Sequence, residues 1–321
     1  MAPSYAKDQP AGFENHIQRV AIVGAGGQIG KHIAEELVKT GKHTVTAISR
    51  IGSKSPLAEG VKVAHVNYDN EQSIVDALKG QQFLFISLAV TAPPDTQDKL
   101  VKAAAKAGVP GSCQTGLRAG IKSVEDAGFS SWVLLTTSFW YEFSLSLGAN
   151  TWGIDYHNKK ATFFDDGKTL INTSTWVQSG RAAAALVSLQ VLPEDENDKS
   201  VTLSHWRNKP VYVASFLVSQ RDILDSVQRV TGTTDKDWEI SYEPSKERWE
   251  NGVKALKEGN RQGFARAMYS RTHFPNGDGN LQDKYGLAND ALGLPKEDFD
   301  EATKRAVGML EARYDPHARA H

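Results

Sequence analysis

The chain has 321 residues, 40% of them hydrophobic and 23% charged, with 37 Lys plus Arg set against 38 Asp plus Glu. That is room for one large or two modest domains with a sizeable core. The two signs are interspersed, so the chain carries no electrostatic footprint for nucleic acid or an anionic membrane, and any partner must be recognised locally.

Cys113 is the only cysteine, which excludes intramolecular disulfides and cysteine-based metal clusters. No general base can be placed beside it from the sequence, so it reads as inert. The nine histidines show no metal-ligand spacing. No apolar run reaches the length of a membrane span and residues 1–17 lack the apolar stretch of a secretory signal, so a cytoplasmic protein is expected.

The first element, RVAIV at 19–23, is a β-branched run that reads as a strand. It enters VGAGGQIG, where four glycines fall within the seven positions 24–30. Ile29, Ile33, Leu37 and Val38 then recur at helical spacing until Gly41, a natural helix stop. Strand, tight turn and helix in that order make a phosphate cradle. Gly24 can turn off the strand, Gly27 can admit a diphosphate to the backbone, and Gly30 can let the helix pack close to the sheet. With Gly26, Gln28 and Ile29 they offer unpaired N–H groups at the positive end of a helix dipole.

The second strand, HTVTAISR, ends at Arg50, twenty residues beyond Gly30. NAD-binding versions of this unit usually carry an acid there for the ribose 2′-hydroxyl, whereas an arginine fork attracts a 2′-phosphate. Ser53 and Lys54 follow closely, so NADP (NADPH) is the expected cofactor. Next come a strand at 61–66, a short helix EQSIVDALKG, a buried strand at 83–90, and a helix at about 94–107 that ends at Gly108. Four strand–helix alternations predict a parallel sheet with right-handed crossovers. Asn67 and Asp69, past the third strand, are placed to reach an adenine edge. Leu88, Ala89 and Val90 fall where the fourth strand meets the crevice.

After Gly108 the pattern changes. The stretch VPGSCQTGLRAG has no run of four apolar residues before the next helix at about 116–127, so the fifth strand reads as truncated. A strand with its loops takes roughly 15 to 25 residues. On this reading the strand SWVLLTT (131–137) pairs directly with the fourth strand or leaves a breach, and the sheet is one strand short. Tyr156 and Lys160 have Y-x-x-x-K spacing, but WGIDYHNKKATFFDDGKTL alternates like a hairpin with a turn at HNKK, where the two side chains need not converge. NGDGNLQD (276–283) has Leu281 where a calcium loop needs glycine and reads as a surface loop. Asn172 heads a glycosylation sequon that is silent without a secretory route. Beyond it, VYVASFLVSQRDILDSVQRVTG gives a strand and a helix, and two further stretches, 244–271 and 296–314, read as helices outside the sheet.

The VGAGGQIG loop, Arg50, NYDN, the Q…LVKAAAKAGV helix, FWYEFSL, FFDDGKTLINTSTW and GRAAAALVSL, in that order, resemble the NmrA-like branch of the atypical short-chain dehydrogenases, the group that includes isoflavone reductases. The resemblance spans about residues 18 to 250. It implies an α/β fold: a Rossmann-type doubly wound domain binding NADP(H) at 18–150, and a smaller α+β substrate domain at 151–321. It also implies reductase or redox-sensing activity. Aligned on that family, Leu117 stands about where reductase members carry a catalytic lysine, and leucine donates no proton. Arg118 stays charged at any physiological pH, and Lys122 falls on another helix face. FWYEFSL, Trp152 and Trp176 supply aromatics for a planar or apolar ligand, although core packing explains them equally well.

Three readings remain open. One is an NADPH-dependent reductase of a small aromatic or unsaturated compound, with catalytic residues unassigned. Another is a non-catalytic NADP(H) sensor that binds a protein partner. The third is a truncated product that folds poorly. None of them fixes an oligomeric state.

Overall fold

The computed structural model describes residues 4–89, 92–93, 95–114 and 131–314. The opening apolar run forms β1 (Arg19–Val23), with Val20 to Val23 buried, and leads through the glycine loop into helix α1 (Gln28–Lys39). The next elements are β2 (Thr44–Arg50), β3 (Lys62–Val66), α2 (Glu71–Leu78), β4 (Phe83–Ile86) and α3 (Thr96–Ala107). After them come β5 (Gly111–Gln114), β6 (Ser131–Thr136), β7 (Phe139–Trp140), β8 (Ile154–Asp155), β9 (Lys160–Phe164) and β10 (Ile171–Ser174). The last strands are β11 (Lys209–Tyr212), β12 (Phe216–Val218) and β13 (Glu239–Glu243). The fourth strand ends at Ile86, short of the expected 83–90.

Seven strands form the central sheet in the order β11-β6-β5-β4-β1-β2-β3, and every pairing in it is parallel. Both faces are covered, as a parallel sheet requires. On one face, Ile29, Ile33 and Leu37 of α1 and Ala182 to Val187 of the helix Trp176–Val187 pack on Val20, Ile22, Phe83 and Phe85. On the other, α2 and α3 bury Ile74, Leu78, Leu100 and Ala104 against Ala21, Leu84 and Ile86. The strand order reverses between β1 and β4, and this switch point opens a crevice at the carboxyl ends of the strands.

The expectation of a missing fifth strand is wrong. Gly111–Gln114 lies between β4 and β6, with Phe83 opposite Gly111 on one side and Ser131 opposite Gly111 on the other. The truncated reading of this region, the direct β4–β6 pairing and the breach fall with it. A strand buried on both faces needs the backbone ladder and room for its side chains, and here the room is small. A Cβ on Gly111 would sit 2.9 Å from the Phe83 ring, and Ser112 and Cys113 are buried. Small residues in a central strand leave no apolar run to detect. The helix expected at about 116–127, with Leu117, Arg118 and Lys122, lies outside the described residues.

VYVASFLV, read as one strand, is two. β11 joins the edge of the central sheet, whereas β12 pairs antiparallel with β10 in a second, three-stranded sheet. The hairpin expected around HNKK is present as β8 and β9, with Ile154 opposite Ala161. Its far strand carries β13 in parallel. Around these small sheets stand the helices Tyr141–Ser146, Gln220–Thr231, Ser245–Lys257, Gln262–Thr272 and Phe299–Glu311, sharing a third core of Tyr141, Trp152, Phe163, Ile223 and Ala306. No helix among the described residues is long and apolar enough to cross a membrane.

That third region encloses a titratable group. His273, 1% exposed, donates from Nδ1 to the Tyr269 carbonyl at 2.8 Å and meets the Phe164 ring edge-on. Burial, aided by the neighbouring Arg248 charge, pushes its pKa from the ordinary 6.5 down to about 4. The unfolded chain takes up a proton below about 6.5 that the folded chain refuses until about 4, so stability is lost as pH falls through that window. Each unit of such a difference is worth about 1.4 kcal/mol. The thermal midpoint should therefore drop between pH 6.5 and pH 4, and His273→Phe should flatten the drop. His32 and His43, also depressed by burial, keep some of it. An equally steep profile in the variant would count against this origin.

Candidate functional site

The glycine loop is built by two close approaches. Gly24 has φ +80°, and a Cβ there would stand 2.1 Å from the Ser87 carbonyl oxygen at the end of β4. A Cβ on Gly30 would stand 1.9 Å from the Gly24 carbonyl oxygen, so α1 lies against the turn with no space for a side chain. Gly27 is the N-cap of α1, and its N–H donates to the Gly24 carbonyl at 2.8 Å. Among the described residues only Gly24 O lies within 4 Å of a Cβ built on Gly27, at 3.1 Å, and none stands on its other sides.

The electrostatics of this end suit an anion. A helix start leaves its first N–H groups without intrahelical partners and concentrates positive dipole. Here Gly27 offers no capping side chain, and the first turn of α1 carries no acid. Gln28 and Ile29 therefore present the helix end to whatever lies in the crevice.

Arg50 is the last residue of β2 and is exposed, and the chain turns immediately after it, with Ser53 N–H donating to the Arg50 carbonyl at 3.0 Å. The loop beyond lies over the glycine loop: a Cβ on Gly26 would meet Ser55 Cβ at 2.7 Å and the Pro56 carbonyl at 3.0 Å. The loop that carries Lys54 thus packs against the glycine loop, and Arg50 stands at its start. Neither charged end has an acidic partner among the described residues.

Tyr68, within NYDN, is half-buried among the polar residues of that stretch. Burial holds its hydroxyl above the ordinary 10, and the charge of Arg50 opposes the shift. Its neighbours serve the local fold. Asn67 Oδ1 accepts from the Asp69 N–H at 2.9 Å, and Asn70 caps α2 through the Ser73 N–H. Asp69 remains exposed, Leu88 packs half-buried against the core, and Ala89 is exposed past the end of β4. Val90 lies outside the described residues.

No acid/base pair forms from Tyr156 and Lys160. The phenol donates to Glu311 Oε1 at 2.8 Å, and the Lys160 ammonium pairs with Glu239 at 2.7 Å. Cys113 is fully buried and its thiol is pushed up to about 12, so it is no nucleophile at neutral pH. Among the described residues no His/Cys/Asp/Glu group could hold a metal ion. Asp278 of NGDGNLQD pairs with Lys284 and Arg271, and Asn172 is buried, its Oδ1 accepting from the Gln282 N–H.

The aromatics divide into two sets. Phe139 stacks on Tyr269 at 3.9 Å, while Tyr141 and Trp152 are fully buried, so these three belong to the core. Trp140, Phe143 and Trp176 are half-buried and form a row that ends with Trp176 stacked on His32 of α1, ring centroids 5.8 Å apart. Beneath them Glu142, 3% exposed, accepts from the Trp176 N–H and pairs with Arg305 at 3.2 Å. Burial raises the Glu142 pKa despite Arg305.

A parallel sheet with this strand order, a glycine turn and a helix that opens on a glycine cap define a Rossmann-type α/β chain. Residues 16–113 match the NmrA-like family. The match stops within β5, just before the stretch where the sequence departs from the family's pattern. Oxidoreductase aprR of Aspergillus flavus is 26% identical over 309 residues, covering 88% of this chain and 96% of its own. Among solved structures, isoflavone reductase is 18% identical with a TM-score of 0.69 over 92% of this chain and all of its own. The NADPH complex of quinone oxidoreductase QOR2 from Escherichia coli is 19% identical with a TM-score of 0.65, covering 90% of this chain and 99% of its own. Over residues 16–113 the sequence is similar to the NmrA-like family, and the whole chain shares its fold with isoflavone reductase and QOR2.

The contact of Gly30 with Gly24 makes a direct expectation. Gly30→Ala must push α1 off the Gly24 turn against the packed core that α1 shares with β1 and the helix Trp176–Val187, and should cost about 3 kcal/mol or more. Urea unfolding of the variant checks it, and a loss below about 1 kcal/mol would show that the helix can shift freely.

Proposed function

We propose that this chain is an NADPH-dependent oxidoreductase acting on a small aromatic or unsaturated compound. The observation that carries the reading is the acid-free start of α1, with the loop that follows Arg50 and carries Lys54 packed against its glycine turn. On this reading the backbone of Gly24, Gly26, Gly27, Gln28, Ile29 and Gly30 holds the diphosphate, and Arg50 and Lys54 hold the 2′-phosphate. Tyr68 and Asp69 flank the adenosine end, and Leu88 and Ala89 line the crevice. The bound dinucleotide supplies hydride; the protein supplies position. The oxidoreductase name of the Aspergillus flavus relative and the NADPH held by the Escherichia coli structure support it.

With β5 in place the crevice keeps its floor, which removes the strongest argument for an inactive protein. A second reading, an NADP(H) sensor for a protein partner, rests on one observation. Tyr156 and Lys160, the pair with Y-x-x-x-K spacing, do not converge, and on the family resemblance Leu117 stands about where reductase members carry a lysine.

Two measurements test these statements. NADPH should bind at least tenfold more tightly than NADH, a difference of about 1.4 kcal/mol, and Arg50→Ala should erase most of it. Gly27→Val, which fills the open side of the cradle, should abolish binding of both in a folded protein. Equal affinity of the unmutated protein for the two dinucleotides would sink the assignment. For activity, NADPH consumption should appear with at least one member of a panel of quinones and enones. Tight binding with no turnover across the panel would favour the sensor.

A further inference from the structure

The last helix, Phe299–Glu311, is fixed to the molecule along its length. Asp300 receives the Arg229 guanidinium at 2.8 and 2.7 Å and the Ser226 hydroxyl at 2.6 Å, the Thr303 hydroxyl meets the Tyr141 phenol at 2.7 Å, and Arg305 pairs with buried Glu142. At its end the chain turns back on itself. Tyr314 N–H donates to the Met309 carbonyl at 2.9 Å and Arg313 N–H to the Leu310 carbonyl at 3.0 Å. Arg313 takes φ +51°. This is a Schellman turn with arginine in the left-handed position that glycine usually fills, a strained conformation for a residue with a Cβ.

The turn aims Tyr314 at the glycine helix. Its hydroxyl lies 3.4 Å from Gln28 Nε2, one residue past the Gly27 cap, and its ring stands edge-on to Trp176 at 6.4 Å. Trp176 in turn stacks on His32, the next turn of α1. The indole N–H of Trp176 is shielded from water and has no acceptor among the described residues. The cluster is therefore not satisfied by its own side chains. The contact with Gln28 is long for a hydrogen bond and Tyr314 is 38% exposed, so the phenol can leave without disturbing the core.

We infer that Tyr314 is a gate of the dinucleotide site: a rigid helix and a strained turn hold its ring at the outer edge of the diphosphate cradle, where it must swing aside for the dinucleotide to leave. This rests on the cradle binding NADPH, as proposed above. Tyr314 acts by enclosing the ligand, and it takes no part in hydride or proton transfer.

The test is the release rate of NADPH in stopped-flow displacement, with thermal unfolding as control. Tyr314→Ala should speed release by about fivefold or more, the scale of one lost net contact, at an unchanged melting temperature. Tyr314→Phe, which keeps the ring, should lie between it and the unmutated protein. Arg313→Gly, which keeps the turn and removes its strain, should retain slow release. Release from Tyr314→Ala at the unmutated rate would overturn the gate while leaving NADPH binding intact. Should Tyr314→Ala melt early, an unmutated rate in Tyr314→Phe decides against the gate. An unmutated protein that binds no NADPH would overturn the reading of the cradle and the gate with it.

Discussion

The structure depends first on the contact between Gly24 and Gly30. The turn after β1 and the first turn of α1 come together with no side chain between them. This sets the distance of α1 from the sheet, and α1 in turn is the surface on which the helix Trp176–Val187 packs. The first position of that helix, Trp176, reaches back to His32. One pair of bare backbones therefore positions both the phosphate cradle and the aromatic row beside it. The same contact places the N–H groups of the loop at the carboxyl ends of β1 and β4, where the strand order reverses.

What could be read from the sequence followed from how strongly each element advertises itself. β1, α1, β2 and α3 combine apolar periodicity with glycine punctuation, and they stand where expected to within a few residues. β5 failed because its burial is achieved by small residues. Gly111, Ser112 and Cys113 fit between Phe83 and its neighbours because they are small, and small residues carry little hydrophobic signal. The division of VYVASFLV between two sheets is a tertiary choice. Both halves have strand character, and only the position of β10, drawn in from forty residues earlier, decides that the second half turns away.

The site shows the same division. Motif spacing picked out the glycine turn because its close approaches depend on local backbone geometry within one βαβ unit. The roofing of Gly26 by Ser55 and Pro56 arises where loops from different units meet, so no spacing reports it. Tyr156 and Lys160 show the opposite hazard. Their spacing has meaning only on a helix, and on a hairpin turn each finds a separate acid, Glu311 and Glu239.

These facts separate binding from chemistry within the molecule. On the proposed reading the cradle would rely on backbone N–H groups and a helix dipole, both set by the Gly24–Gly30 contact. An acid/base group relies instead on one side chain at one position, and a single replacement removes it. Reduction of a strongly electron-poor acceptor such as a quinone can draw its protons from water once hydride has been delivered, whereas reduction of a less polarised double bond needs a donor held beside it. On the proposed reading, acceptors that need only orientation would ask less of these side chains than acceptors that need a protein acid. The half-buried row of Trp140, Phe143 and Trp176 is the flat apolar surface on which such orientation would rest.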